Sequence, residues 1–375
     1  MKEFTKIISQ ACIALLASIG AQTICAQPLY TIRDLTPINE RSTAYGLNNL
    51  GQVTGATSTS GSPGIAFLTD GASRQSLGTL KLDLRGYEFT SSSYGSSIND
   101  KGHVVGGSNS TSRGSITHAF FYDGNAIHDL GTLGGKNSWA TSINAAGIIV
   151  GAADTSQTVP PGSATSGWPI VHAFVYSNGT MNDLGTIRGY TESYASSINA
   201  DGWVTGSVST TFSRMAFIYD GIRMSPIPGL IGNSEGRAIN ASGWVAGNVD
   251  GRAFLYEGDR IVDLGQGFYS SVGNGINDDG WVVGHASAIG IGRFALVYDG
   301  STVWNLNNLL DPSSSNWHIS DAFAINNAGQ ILAAGSNIYG ESRSLLLTPV
   351  PEPGSTALLG FGLVSLFSIR RYRRT

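Results

Sequence analysis

Ile98-Asn99-Asp100-Lys101-Gly102-His103-Val104-Val105-Gly106 is one of seven copies of a pattern that reads I-N-x-x-G-x-V-x-G, with aliphatic exchanges. The Asn falls at Asn48, Asn99, Asn144, Asn199, Asn240, Asn277 and Asn326. Each copy predicts a tight β-hairpin. An Asn side chain can bond the backbone two residues on, which favours a turn. The Gly three residues later, as in Gly102, Gly147, Gly202 and Gly280, suits the left-handed residue of a type I turn with a G1 bulge. The aliphatic residue that follows it (Val104, Ile149, Val204, Val282) is β-branched and suits a buried strand.

Upstream of the Asn, small residues recur with period two. Gly95 and Ser97, Ala140 and Ser142, and Gly236 and Ala238 are examples. One strand face is therefore crowded against a neighbouring strand or a central axis. Downstream lies a second hairpin with an Asp-Gly, Asn-Gly or Glu-Gly turn, as at Asp123-Gly124, Asn178-Gly179 and Glu257-Gly258. Such pairs are strong short-range hairpin signals. Each unit thus supplies four short strands.

Spacing between the Asn residues runs from 37 to 55. A stacked β-helix wants near-constant coils, whereas variable loops between four-stranded sheets fit a β-propeller. The fold class expected is all-β: a seven-bladed β-propeller over 28–349, flanked by an N-terminal signal helix and a C-terminal apolar helix. The seventh unit runs from Ser344-Leu345-Leu346-Leu347-Thr348 straight into the tail and lacks a last strand. Residues 28–36 resemble that missing strand, so the N-terminus is expected to complete the last blade and latch the ring.

The ends differ in kind. In 1–26, Lys2 and Lys6 precede an apolar run with small residues near Ala21 and Ala26, the pattern of a secretory signal peptide. Both cysteines, Cys12 and Cys25, lie there, so the exported body has no thiol and no disulfide. Residues 350–375 hold Pro351-Glu352-Pro353, an apolar run to Ile369 and Arg370-Arg371-Tyr372-Arg373-Arg374. This tail resembles the PEP-CTERM sorting signal. That resemblance implies export from a Gram-negative bacterium, transient insertion of the tail in the inner membrane, processing by an exosortase at Pro351, Glu352 and Pro353, and association with the cell surface or exopolysaccharide.

Six of the 22 Lys and Arg and two of the 26 Asp and Glu lie in the two ends, which leaves the body at net −8. An acidic body disfavours nucleic acid or an anionic membrane face as partner. The pairs Ala66-Phe67, Ala119-Phe120, Ala173-Phe174, Ala216-Phe217 and Ala253-Phe254, with the recurring Asp-Leu-Gly and Ile-Asn, resemble the extracellular HAF repeat family. No established activity comes with that resemblance.

The sequence holds no catalytic constellation. His103, His118, His128, His172, His285 and His318 show no H-E-x-x-H or Cys/His metal spacing. Asn277-Asp278-Asp279-Gly280 lacks the continuation of a calcium loop and fits the hairpin turn instead. No G-x-S-x-G elbow or phosphate loop is present. The Asp residues of Asp-Leu-Gly (Asp129, Asp183, Asp263) could serve glycoside chemistry, but equivalent positions in separate blades point to the fold. Neither cofactor nor metal is expected.

In a four-stranded blade, loops one–two and three–four share one face, while loops two–three and the blade-to-blade connections share the other. Only the second class varies in length here, which marks the recognition face. The candidates on it are Trp168, Tyr94, Trp139 and Tyr194, with Tyr87, Tyr190 and Tyr269. Such aromatics either stack on sugar rings or pack between blades. The expected function is a secreted binding or scaffold protein for carbohydrate at the cell surface. A propeller glycosidase or lyase and a purely structural matrix protein are the alternatives.

Overall fold

The computed structural model describes residues 29–37, 40–59, 62–80, 91–110, 116–161 and 166–350. The signal segment, the Pro351–Glu352–Pro353 motif, both flanking helices and Tyr87 lie outside them. Apart from two short 3-10 turns, Leu306–Leu309 and Pro312–Ser314, the regular structure is β-strand. The strands form seven four-stranded antiparallel sheets, the blades of a seven-bladed β-propeller. Blades one to six span residues 40–78, 91–129, 134–183, 192–226, 234–263 and 270–305. Strands are lettered A to D in each blade; in blade two they are Ser91–Ile98, Val104–Ser110, Ile116–Tyr122 and Ile127–Asp129. The A strands of successive blades touch one another right round the ring, so they surround the axis.

The repeated Asn closes each A–B hairpin. In blade two the Gly102 N–H donates to the Asn99 carbonyl at 3.0 Å, and the Asn99 N–H to the His103 carbonyl at 3.1 Å. All seven turn glycines are left-handed, with φ between +74° and +88°, a region that costs any residue with a Cβ roughly 1–2 kcal/mol. The Asn Oδ1 accepts the amide four residues on, from His103 at 3.1 Å or Trp203 at 2.9 Å. Its Nδ2 leaves the blade. Asn48 donates to the Asn99 carbonyl, Asn99 to Asn144, Asn144 to Asn199, Asn199 to Asn240, Asn240 to Asn277, Asn277 to Asn326, and Asn326 back to Asn48, at 2.9–3.4 Å. These Asn residues are buried, so each unmade bond would leave a desolvated polar group. The motif is a turn former and also the link between blades.

The small residues of the A strands have a steric cause. A Cβ on Gly46 would meet Thr54 Cγ2 at 2.8 Å and the Cα of Ser97 in blade two at 2.9 Å. Gly95 and Gly236 lie against Thr54 and Thr205 of the preceding blade in the same way. A register shift between the fourth and second residues before each Asn, as between Gly95 and Ser97, marks a bulge in every A strand.

A Ser six residues before the Asn provides a second seam. Ser93, Ser138, Ser193, Ser234 and Ser271 are buried and accept the amides of Ala66, Ala119, Ala173, Ala216 and Ala253 in the preceding blade at 2.8–3.0 Å. Ser93, Ser138 and Ser193 also donate to the carbonyls of Gly78, Gly131 and Gly185. The Ala of Ala-Phe and the Gly of Asp-Leu-Gly are thus both attachment points for the next blade. Phe67, Phe120, Phe174, Phe217 and Phe254 are fully buried, with Leu296 in the same register of blade six.

Blade seven is closed by the N-terminus. Its order is Trp317–Ile325, Ile331–Asn337, Ser342–Pro349 and then Tyr30–Asp34. Tyr30 pairs with Pro349 and Asp34 with Leu345. The connection from blade six covers the outer edge of this latch strand: Asp311 N–H donates to the Tyr30 carbonyl at 2.9 Å, and Ile32 N–H to Ser314 Oγ at 3.2 Å. Tyr30 is buried in a cluster with Leu306, Leu309, Ile319, Leu345 and Leu347.

This topology gives the ring two unlike faces. The A–B and C–D turns form the turn face. The B–C loops and blade-to-blade connections form the loop face. Strand Ser342–Pro349 runs toward the turn face and Tyr30 is paired with its last residue, so the chain enters and leaves the propeller on the turn face.

Candidate functional site

The loop face carries exposed aromatic and aliphatic tips. Trp168, at the end of the blade-three B–C loop, is 66% exposed; Phe212, in that of blade four, is 92% exposed. Tyr269, between blades five and six, is 85% exposed, and Tyr339, in the blade-seven B–C loop, is 81% exposed. Ile231, Ile289, Ile291 and Ile338 stand on the same set of loops and are also exposed. Exposed apolar groups gathered on one face mark an interaction surface more often than singly scattered ones.

Between blades four and five the same face opens into a cleft of roughly 540 Å³, within the usual size of ligand pockets. Glu192, Tyr194 and Arg214 line one side, Asn233, Glu235 and Asp250 the other, with Phe212 also contributing. Tyr194 donates to Glu192 Oε2 at 3.2 Å, and Ser209 Oγ donates to the same oxygen at 3.2 Å. Burial, followed by the Glu192 charge and hydrogen bond, pushes the Tyr194 hydroxyl far above its usual range. It is therefore a fixed donor rather than a base. Glu235 is held by Arg214 at 3.4 Å and Arg237 at 3.2 Å. The cleft offers an aromatic surface beside hydrogen-bonding groups of both kinds.

The four ligand-binding candidates do not form one cluster. Tyr94, Trp139 and Tyr194 are half-buried at equivalent places on the A strands of blades two, three and four, five residues before the ring Asn. Tyr94 lies edge-on to Tyr45, ring centres 6.4 Å apart, and burial, then Tyr45, raises its hydroxyl pKa. Only Tyr194 lines the cleft, and only Trp168 is mostly exposed. Tyr190 is half-buried with its hydroxyl against the Met215 sulfur. Phe212, Ile231, Ile289, Ile291, Ile338 and Tyr339 were not among the candidates. Their signal was apolar residues set beside Gly, Thr or Asn in loops, where no burial periodicity accounts for them.

At the turn face the axis ends in a depression of roughly 280 Å³ lined by the ring Asn residues other than Asn144, the residues before them and several after them. Asn49 donates to Asp100, and Asn327 to Asp278, across its rim.

The residues weighed for catalysis have structural partners. His118 pairs with Asp129 at 2.8 Å, His172 with Asp183 at 2.8 Å, and Arg252 with Asp263 at 2.8 Å. The same three carboxylates accept the amides of Gly131, Gly185 and Gly265. A His or Arg on strand C thus holds the Asp of strand D in blades two, three and five, which fixes Asp-Leu-Gly for the adjacent blade seam. Among the described residues no group of three or more His, Cys, Asp or Glu could hold a metal ion, and no helix is long and apolar enough to cross a membrane.

Residues 349–374 match the model of the PEP-CTERM protein-sorting motif. The chain is therefore similar at its C-terminus to proteins exported and sorted to the surface or exterior by exosortase-type machinery. No curated protein matches the sequence. Among solved structures, a puromycin hydrolase S511A mutant complexed with PGG aligns with a TM-score of 0.42 at 11% identity, over 79% of this chain. The chain spans 58% of the length of that structure.

Proposed function

We propose that this protein is a binding or scaffold propeller of the bacterial exterior, which holds extracellular polysaccharide on its loop face. One observation carries the reading. The exposed aromatics Trp168, Phe212, Tyr269 and Tyr339 all stand on the face opposite the one where the chain enters and leaves the ring. Aromatic planes suit the apolar faces of sugar rings, and they lose little conformational entropy on contact. The cleft of Tyr194, Glu192 and Arg214 adds the few polar groups that orient such a ligand. Exosortase acts on the tail, and the signal peptide and the apolar tail segment serve export and transient inner-membrane insertion.

The test is a glycan array probed with the body, residues 27–350, whose ring closes without either end. Binding without turnover is the expected result. Release of reducing ends or unsaturated sugars would favour a glycosidase or lyase, and a blank array would favour a purely structural matrix protein.

A further inference from the structure

On the loop face of blades four to six the exposed apolar tips are also uncharged, and charged side chains of that face are engaged with one another: Glu235 with Arg214 and Arg237, Arg252 with Asp263, and Arg293 with Asp321. The loops that carry Phe212, Ile231, Tyr269 and the Ile289 and Ile291 pair, residues 210–213, 227–233, 264–269 and 289–291, contain no Asp, Glu, Lys or Arg. Trp168 stands between Gly167 and Pro169, and Ile338 and Tyr339 are followed by a single Glu341 already held by Asn337 and Arg343. The turn face carries the exposed Leu50 and Ile222 too, but its turns are charged. Asp70, Asp100, Lys101, Asp123, Asp201, Asp220, Arg223, Asp278 and Asp299 all fall in its turns.

We infer that the loop face docks an uncharged polysaccharide presented as a packed, sheet-like surface. This deepens the carbohydrate reading above and rests on it. The partner is neutral because the tips supply no counter-charge, and a body at net −8 repels anionic polymers and lipids. The partner is extended in two directions because the tips belong to blades three to seven, disposed around the axis. A single glycan chain crossing the face meets only the tips along its own line, whereas a packed sheet meets them together and gains from their number. A second copy is not the occupant. Two bodies each at net −8 repel one another.

The experiment is co-sedimentation of the body with microcrystalline cellulose and with chitin powder, in low salt and at about 1 M salt, where Debye screening is nearly complete. Soluble oligosaccharides of the same sugars and an alginate gel are run in parallel. Binding to the powders should survive high salt. It should weaken by about tenfold or more in a Trp168→Ala, Tyr269→Ala, Tyr339→Ala variant whose melting temperature is unchanged. Unaltered binding in that variant, retention by alginate alone, or equal affinity for the soluble sugars would overturn the packed-surface inference while leaving carbohydrate binding in place. A dimer by light scattering that the triple variant splits would overturn it in favour of self-association. No retention by any carbohydrate would sink both this inference and the proposed function.

Discussion

Asn326 donates its side-chain amide to the backbone carbonyl of Asn48 at 2.9 Å, across 278 residues of sequence. Six equivalent bonds link the other neighbouring blades, so this contact closes a continuous ring of buried amides about the axis. The ring forms only if the first and last repeats meet, and the latch strand brings them together.

Removing one ring amide should therefore cost more than a surface turn residue would. Asn240→Ala deletes the bond to the Asn277 carbonyl and the one from the Trp244 amide, at 3.1 and 2.9 Å. Both partners are left without a mate near the axis. A loss of about 2–4 kcal/mol is expected, from ~1–3 kcal/mol for each desolvated group. Denaturant unfolding monitored by Trp fluorescence measures it. A change below about 0.5 kcal/mol, the level typical of surface substitutions, would show that water replaces the ring bonds at no cost.

The latch can be tested in two ways. Deleting residues 28–36 strips blade seven of its outer strand and exposes the cluster around Leu306, Leu345 and Leu347. The melting temperature should fall far more than for loss of a peripheral strand, and an unchanged value would refute the latch. Tyr30 gives a finer probe, because its buried hydroxyl has no hydrogen-bond partner among the described residues, and burial raises its pKa to about 12. Tyr30→Phe should be neutral or stabilising by up to ~1 kcal/mol, whereas Tyr30→Ala should cost about 3–5 kcal/mol as a buried aromatic truncation.

Much of this architecture is legible in the sequence because the strands are short and their turns are chemically marked. Asn99 to Gly102 and Asp123-Gly124 locate two hairpins by themselves, and the missing fourth strand after Leu347 points to the N-terminus. The linkage between blades is not legible. Asn99 looks the same whether its Nδ2 faces water or the Asn144 carbonyl, since that partner is set by ring closure and not by local propensity. The Ser six residues before each Asn is a visible regularity, yet a small polar residue on a crowded strand needs no partner to be explained. The recognition face is half legible. Loop length picks out the face, but Phe212 and Ile289 obey no periodicity, and only the fold shows that they share a surface.

Neighbouring turns also pack on one another. A Cβ on Gly280 would sit 2.6 Å from Trp244 Cζ3, whereas a Cβ on Gly147 would meet nothing within 4 Å. Both glycines are left-handed, at φ +81° and +88°. Gly147→Ala should therefore cost only the backbone term of ~1–2 kcal/mol, and Gly280→Ala should cost that plus displacement of the Trp ring. The difference should vanish in a Trp244→Ala background, a coupling that a double-mutant cycle reads directly.

Acid should weaken the seam between blades six and seven. Burial of Asp321 works against its charge, but hydrogen bonds and charges from His285 at 3.1 Å and Arg293 at 2.5 Å outweigh it and hold the carboxyl below the usual range. Asn274 Nδ2 donates to the same carboxylate from blade six at 3.1 Å. A carboxyl whose folded pKa lies below its unfolded value, ~3.9 for Asp, contributes its full stability above that unfolded value. The contribution is lost as pH falls through the folded pKa, because the unfolded chain then binds the proton more readily. Stability should therefore decline below about pH 4, and more steeply in the wild type than in Asp321→Asn, which has no such proton to take up. At neutral pH the variant should be the less stable of the two, since it loses the ion pair with Arg293 and alters the hydrogen bond with His285. Melting temperatures of both proteins at matched ionic strength from acid to neutral pH would decide it, and parallel curves would show that Asp321 makes no titrating contribution to the blade six–seven seam.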